Sequence, residues 1–546
     1  MKTFMQKRFF LIAMTFVLGI LFLASCSKAK VEEYIPDNAV GVVTVNFKNL
    51  SDKADMEYVK KMDVVKELRE NLKDERELSE LLDVLIDDPA SCGLDLRQDV
   101  ALAMIELDNG DAVVEVIAKM HKKKDFEKFL DNVQSKGKSK HEGIYYIDDS
   151  QWIIAWNKKM AIAILGANEK ADLRADAAKL LKLPKDKSMA SNENFKTFWE
   201  KRGDMSAYLD FGNFLKVLNS SDKHPILERE FGITEDVLNE FKKMDKGACY
   251  GTLTFEAGKM NVHVQSLNVD TKLYKDVFNQ TFNEGILNYM PGKTIAFASM
   301  AVNVNSVLSL IQQADGHVLN EKLMKKSSNN YNYYYDDYDY DDYYSSYTIK
   351  DLLSCLNGSV AFSMSSIDLS EMMPVFTLVA DLSNPSRLSN ILQETSIDDG
   401  SGYYALGDGI YLTVKNNYVI ISNDNDALRG YANGLRSVAD KAKSGCYAFV
   451  DLNYNNLPSK VTDNFNSDTR DFLKSFAGTI ELKQIGDDSA DLTLTLPSGN
   501  ENVLSYVIKV VDKYMNKIEG IGENISDAIS RARRSSYYSY DDEYDY

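Results

Sequence analysis

The 546-residue chain has only five histidines, five cysteines, nine prolines and three tryptophans. His121, His141, His224, His263 and His317 stand far apart, so no two have the spacing of a zinc site on a helix. His141-Glu142-Gly143-Ile144-Tyr145 starts as zinc-protease helices do, but the second histidine is missing and the segment runs into a strand-like stretch. Among Cys92, Cys249, Cys355 and Cys446 there is no C-x-x-C pair, which removes zinc ribbons and thioredoxin-like exchange. These thiols read as small buried core groups. The nucleophile elbow G-x-S-x-G, the P-loop and the G-x-G-x-x-G turn are all absent. Past the N-terminus no apolar run is long enough to span a bilayer. Positive charge is short as well: 63 basic side chains face 82 acidic ones, a formal net charge of −19. So acidic a chain repels phosphate backbones, and no nucleic-acid partner is expected.

What is present begins at the N-terminus. Lys2, Lys7 and Arg8 precede the apolar run Phe9–Phe22, the layout of a secretory leader. The run ends at Leu23-Ala24-Ser25-Cys26, which looks like a bacterial lipobox and implies cleavage before Cys26 and lipidation of its sulfur. Two or more acyl chains anchor a protein stably without any transmembrane helix. Loss of residues 1–25 removes three basic groups and no acidic one, leaving a mature chain at −22. Ser27 after the cysteine, by resemblance to sorted lipoproteins, favours the outer membrane. Lys28 and Lys30 stand where an acidic export run would be, which favours the periplasmic face over the cell surface.

The second half of the chain echoes the first. Pro36-Asp37-Asn38-Ala39 and Pro291-Gly292-Lys293-Thr294 each lead into a strand of small and apolar residues. Val100–Met104 and Val113–Ile117 match Val360–Met364 and Val375–Val379, and a short amphipathic helix follows each pair. Tyr145-Tyr146 matches Tyr403-Tyr404, and two further strands follow in both copies. Ala207–Phe211 matches Ala448–Leu452. Each half closes with an alternating hairpin, the pattern of antiparallel sheet with one face wet, which puts His263 on the wet face. After the hairpins, Leu273, Val277, Phe278, Phe282 and Ile286 share one helical face, as do Leu504, Ile508, Val511, Met515 and Ile518. Ser498-Gly499-Asn500-Glu501 reads as a capping box for the second helix.

These correspondences predict an α+β protein: two tandem copies of one domain with antiparallel sheets and helices packed on one face. The expected layout is a lipoprotein signal peptide (1–25), a lipid-anchored linker (26–33), copy 1 (34–289), copy 2 (290–498), a C-terminal amphipathic helix (499–535) and an acidic tyrosine-rich tail (536–546). Copy 2 carries a tyrosine–aspartate insertion over 331–347, which has no glycine and no fixed ligand spacing and so lacks the design of a calcium loop. It reads as a solvated insertion outside both cores. Asp424-Asn425-Asp426 reads as a turn that caps a helix. Trp152 and Trp156, four apart on a strand, share one face and read as core.

The Tyr34-Ile35-Pro36-Asp37-Asn38-Ala39 start just after a lipidated cysteine, the second start at Pro291 and the two-copy layout resemble a family of uncharacterised lipoproteins of gut Bacteroidetes, a domain of unknown function. The resemblance implies location and fold; it carries over no functional residue. The functional expectation is a lipid-anchored cell-envelope protein, a non-enzymatic binding or scaffolding module. Its partners would be the membrane, through Cys26, and an envelope protein or glycan. The alternatives are an enzyme of unrecognised type, or a glycan-binding or adhesion accessory using exposed tyrosines. Cys26 is the one residue assigned, for lipidation; no catalytic residue, cofactor or metal is expected.

Overall fold

The computed structural model describes residues 30–541 apart from 74–75, 108–111, 134–135, 167–171, 219–244, 270–271, 279, 325–343, 369–372, 396, 399–401, 408, 432–433 and 444. Cys26, His224, residues 331–343 of the insertion and residues 542–546 of the tail lie outside the described residues. The chain divides into two compact units, Met1–Asp270 with Ser498–Met515, and Thr271–Pro497 with Asn516–Tyr546. The division thus falls ahead of Pro291, and the start of the C-terminal helical segment belongs with the first unit.

The first unit is built on strands β1 (Gly41–Val45), β2 (Val100–Glu106), β3 (Ala112–Lys119), β4 (Ser139–His141), β5 (Ile144–Asp148), β6 (Trp152–Trp156), β7 (Met160–Leu165), β8 (Met205–Asp210), β9 (Ala248–Phe255) and β10 (Lys259–Leu267). They lie in the order β10-β9-β8-β1-β2-β3-β7-β6-β5-β4, every pairing antiparallel. The expected helices on one face prove to be helices on both. Leu173–Leu181 and Glu193–Glu200 bury Leu173, Ala177, Leu180, Phe195 and Phe198 on one side. Lys123–Val133 buries Phe126, Phe129 and Leu130 on the other. The reason is visible in β7, where Met160 to Ile164 are all buried: a strand apolar at every position needs a cover on each side. Among the described residues this face is less covered over part of β1 and β2, where Val43 and Met104 are exposed.

The second unit contains β11 (Ala296–Ala301), β12 (Lys322–Met324), β13 (Tyr344–Thr348), β14 (Leu356–Asp368), β15 (Met373–Leu382), β16 (Ile397–Asp398), β17 (Tyr403–Gly407), β18 (Ile410–Lys415), β19 (Tyr418–Ser422), β20 (Cys446–Asp451), β21 (Thr479–Ile485) and β22 (Ser489–Thr495). Its sheet runs β22-β21-β20-β11-β14-β15-β19-β18-β17-β16, again antiparallel throughout. A 3-10 turn at Glu284–Tyr289 and the helix Asn425–Arg429 cover one face. Pro385–Thr395 covers part of the other through Leu388, Ile391 and Leu392.

Several local expectations need correction. The helix after β10 stops at Phe278, and Ile286 lies in the 3-10 turn instead. Asn502, rather than Ser498, caps the helix Val503–Tyr514, its side chain accepting from the Leu504 amide at 3.0 Å. That helix buries Val503, Val510 and Tyr514, while Val511, Met515 and Ile518 are exposed. Apolar residues line both sides of it, so the docking contacts choose the phase: Lys509 Nζ reaches Asp55 at 2.8 Å and Tyr58 donates to Asp512 at 2.7 Å. His263 is half-buried, on the face it shares with Tyr250, whose ring centroid is 6.1 Å away, while its neighbour Val264 is exposed. The hairpin is apolar at enough positions on both faces that alternation alone could not tell the wet side. Asp424 caps Asn425–Arg429 as expected.

The insertion ends inside the fold. Ser345 is buried, Tyr347 packs against the cluster around Cys355 and Leu388, and Thr348 forms a capping box with Asp351. Residues 344–347 are therefore structural, contrary to the solvated reading of the whole 331–347 stretch. Deleting residues 331–343 is expected to move the melting temperature by less than about 2 °C, since loop-closure cost varies weakly with length. Extending the deletion through Tyr347 removes β13 and is expected to cost roughly 2 kcal/mol, or about 4–8 °C in the same thermal melt. Among the described residues no helix is long and apolar enough to cross a membrane.

Candidate binding surface

The register of each sheet brings apolar side chains together on the uncovered part of one face. In the first unit one row runs Val114, Met104, Gly41, Leu209, Cys249, and the next runs Leu102, Val43, Ala207, Gly251, Val264, with Leu102 at its end packed against the covered cluster that holds Val116. Val43, Met104, Val114 and Val264 are 38–47% exposed. Small residues at Gly41, Ala207 and Gly251 keep the middle of the patch low. In the second unit the rows are Phe376, Met364, Ala296, Val450, Ile480, Leu494 and Leu378, Phe362, Ala298, Ala448, Leu482, Leu492. Here Met300, Phe362, Val450, Ile480, Leu482 and Leu492 are 36–43% exposed, and the Phe362 and Phe376 rings stack at 6.2 Å. Contiguous apolar surface of this kind marks interaction sites, because leaving it in water costs about 25 cal/mol per Å².

Two cavities lie elsewhere and are polar. One, of about 740 Å³, is lined by Asp37, Asn192, Asn194, Asp210, Asn213 and Lys216 among others. Its groups are largely spent on one another. Asp210 accepts from the Asn213 amide at 2.9 Å and from Asn192 and Tyr208 at 3.2 Å, and Asn213 donates to the Asp37 and Ala39 carbonyls. The other, of about 180 Å³, is bordered by Asn46, Arg97, Asp99, Trp199 and Arg202. Arg202 lies 3.6 Å over the Trp199 ring and pairs with Asp99, so its charge is held structurally.

One buried acid has no such partner. Glu115, on β3 between Ala103 and Ile164, is fully buried, and neither carboxyl oxygen has a hydrogen-bond partner among the described residues. Burial alone pushes its pKa well above the ordinary carboxyl value. In the second sheet Ser363, Thr377 and Ser422 form a polar row, with the Thr377 and Ser422 hydroxyls 3.1 Å apart. A lone protonated carboxyl with no base beside it does not make an acid–base pair. The signal was in the sequence: a single glutamate inside Val113-Val114-Glu115-Val116-Ile117.

The described histidines do not converge. His141 and Glu142 stand exposed at the β4–β5 turn, 3.8 Å apart, and no group of acids, cysteines and histidines among the described residues could hold a metal. Cys92, Cys249, Cys355 and Cys446 are free thiols; burial raises the pKa of Cys92 to about 12. Trp156 is buried against Phe126 and Tyr145, as read from the sequence, and Trp152 is half-buried.

No curated protein matches the chain. Solved structures described as crystal forms IV, I and III of TP0453 are similar to it over 44–45% of this chain and 79–82% of theirs, at 9–11% identity and TM-scores of 0.23–0.24. The family described as Domain of unknown function (DUF4836) matches residues 31–466, and the chain belongs to that family.

Proposed function

We propose that this chain is a lipid-anchored, non-enzymatic protein of the cell envelope, made of two copies of one α+β domain, which binds a protein partner through the uncovered apolar faces of its sheets. The observation that carries the reading is the pair of apolar rows, Val43, Met104, Val114 and Val264 in one unit and Phe362, Val450, Ile480 and Leu482 in the other. Small-molecule sites are concave pockets. These rows are broad sheet faces, and the two polar cavities are lined by other residues. A macromolecular surface fits them better.

The duplication is supported by the order of the strands. Reading β1 with β11, β2 with β14, β3 with β15 and β8 with β20, the neighbours of each strand correspond, and Met104 falls with Met364 and Val114 with Phe376. Anchoring is supported by the Leu23–Cys26 tetrapeptide, and the outer membrane, periplasmic side, by Ser27. Cys26→Ala is expected to leave the leader unprocessed and to abolish palmitate labelling of the mature protein; normal processing would sink the lipoprotein reading.

Partner binding is tested by cross-linking in intact envelopes. Met104→Asp together with Leu482→Asp is expected to lower the yield of the cross-linked species at least tenfold, equivalent to about 1.4 kcal/mol, with the melting temperature unchanged. An undiminished yield from this pair overturns the assignment of the binding faces.

A further inference from the structure

The larger polar cavity, of about 740 Å³, lies at one end of the first unit's sheet, where β8 ends at Asp210 opposite Ala248 of β9, itself opposite Leu267 of β10. Two helices start beside it. Asn192 caps Glu193–Glu200, and the Asp210 carboxylate accepts from the Asn213 amide in the first turn of Phe211–Leu218. The volume falls in the range of small-molecule sites, about 300–1,000 Å³.

The inner wall is fixed in place. Asn194, Asp210 and Asn213 are each more than nine-tenths buried. Asn194 donates to the Lys246 carbonyl at 3.0 Å and accepts from Asn268 at 2.6 Å. Asn213 donates to the Asp37 and Ala39 carbonyls and accepts from Lys216 at 3.0 Å. Asn268 makes its contact from a left-handed φ of 50°, a conformation that non-glycine residues seldom adopt and asparagine tolerates best. At Gly212 a Cβ would come within 2.4 Å of the Asp245 carbonyl oxygen, so only glycine lets Asp245 close up against this wall. A network satisfied in this way is rigid, and a rigid wall loses little entropy when a ligand binds.

Charge and polarity narrow the ligand. Asp210 accepts three hydrogen bonds, and Glu193 pairs with Lys196 at 2.6 Å. The other acids lining the cavity, Asp37 and Asp245, are matched by Lys216 and Lys246, all four exposed. The balance selects neither an anion nor a cation, and no group of acids, cysteines and histidines among the described residues could hold a metal. Leu215 is the one large apolar side chain among the described lining residues, so an apolar molecule gains little there. A hydroxyl group both donates and accepts, and can meet carboxylates, amides and ammonium groups together.

We infer that this cavity binds a neutral sugar of roughly one or two rings. Asn194, Asp210 and Asn213 form its rigid floor, and Asp37, Asp245, Lys246 and Asn268 supply hydrogen bonds at the rim. The cavity shares no residue with the apolar rows, so a sugar and a protein partner would not compete for the same side chains.

The test is saturation-transfer-difference NMR on the full-length protein. The probes are maltose, lactose, cellobiose and N,N′-diacetylchitobiose at millimolar concentration, with glucosamine and glucuronate as charged counterparts. Transfer to the ring protons of at least one neutral disaccharide is expected. Asp245→Ala combined with Asn268→Gly, which keeps the left-handed backbone, is expected to weaken that binding about tenfold, with the melting temperature nearly unchanged. Should that pair melt early, Asp37→Asn combined with Lys246→Met, at two other exposed positions, is expected to weaken binding to a similar degree. Transfer to none of the neutral sugars, transfer only to glucosamine or glucuronate, or transfer undiminished in a folded variant pair each overturns the inference.

Discussion

Trp156→Ala is expected to lower the stability of the first unit by about 3–5 kcal/mol, the range for removing a large aromatic ring from a packed core. The Trp156 side chain is fully buried on β6, with the Phe126 ring edge-on at 5.6 Å and Tyr145 stacked at 5.7 Å. Phe126 belongs to the helix Lys123–Val133 and Tyr145 to β5, so the indole joins the sheet to the helix that covers it. Its Nε1–H donates to Glu127 at a long 3.3 Å, a contact that adds little beside the lost packing. At about 2–4 °C per kcal/mol, the melting temperature should fall by roughly 6–20 °C. All three tryptophans, Trp152, Trp156 and Trp199, lie in the first unit, so tryptophan fluorescence follows that unit during denaturation. Trp152→Ala, at a half-buried position, should cost clearly less. A loss under about 1 kcal/mol for Trp156→Ala would show that the ring is not part of the core.

Glu115→Gln is expected to stabilise the same unit, and increasingly so as pH rises. Burial holds the folded carboxyl protonated well above its ordinary pKa, while in the unfolded chain it ionises normally. Below the ordinary value both states bind the proton, and the wild-type residue carries no penalty. As pH climbs from there toward the folded value, the unfolded state alone releases its proton, and the wild type loses about 1.4 kcal/mol per pH unit. Glutamine has the same shape and no proton to lose. Denaturation midpoints for the two proteins should therefore coincide near pH 4 and separate steadily by pH 8, the variant being the more stable. A constant difference across that range would mean that Glu115 is solvated or paired in solution. Both experiments are read by tryptophan fluorescence on the full chain, so they can share one set of measurements.

Much of the architecture was legible. Strands such as Val100–Glu106, Trp152–Trp156 and Ile410–Lys415 fall where β-branched and aromatic residues cluster between turn residues, and each is a strand. Trp156 could be placed in the core because two tryptophans four apart on a strand share a face. Glu115 could have been singled out as well: a charged residue with two apolar neighbours on each side, in a strand needing a cover on both faces, has no solvent to reach. A buried acid standing alone belongs to no converging group, so no catalytic or metal-binding pattern marks it.

The readings that failed have a common cause. Helices were placed on one face because the hairpins alternate, yet Met160-Ala161-Ile162-Ala163-Ile164 does not alternate at all, and its uniform burial calls for packing on both sides. The helix Val503–Tyr514 has apolar residues on two stripes. Amphipathic periodicity picked the stripe Leu504, Ile508, Val511; Leu504 and Ile508 are half-buried and Val511 is exposed, while the helix, held to Asp55 and Tyr58 far away in sequence, buries Val503, Val510 and Tyr514.

By itself the sequence determined the strand-forming segments, the scarcity of metal-binding and nucleophilic groupings, the acidic charge and the expectation of an anchor at Cys26. These depend on local composition and on spacings within a few residues, which a linear reading holds completely. Only the tertiary structure decided which apolar side chains stay in the open. Val43, Met104 and Val114 are as apolar as their buried neighbours Val42, Ala103 and Val113. They differ only in which side of the sheet they occupy and in how far the helix Lys123–Val133 extends across it. Coverage of that kind is set by the positions of elements more than a hundred residues apart in part, and the hydrophobic effect that drives it responds to area removed from water, not to residue type alone.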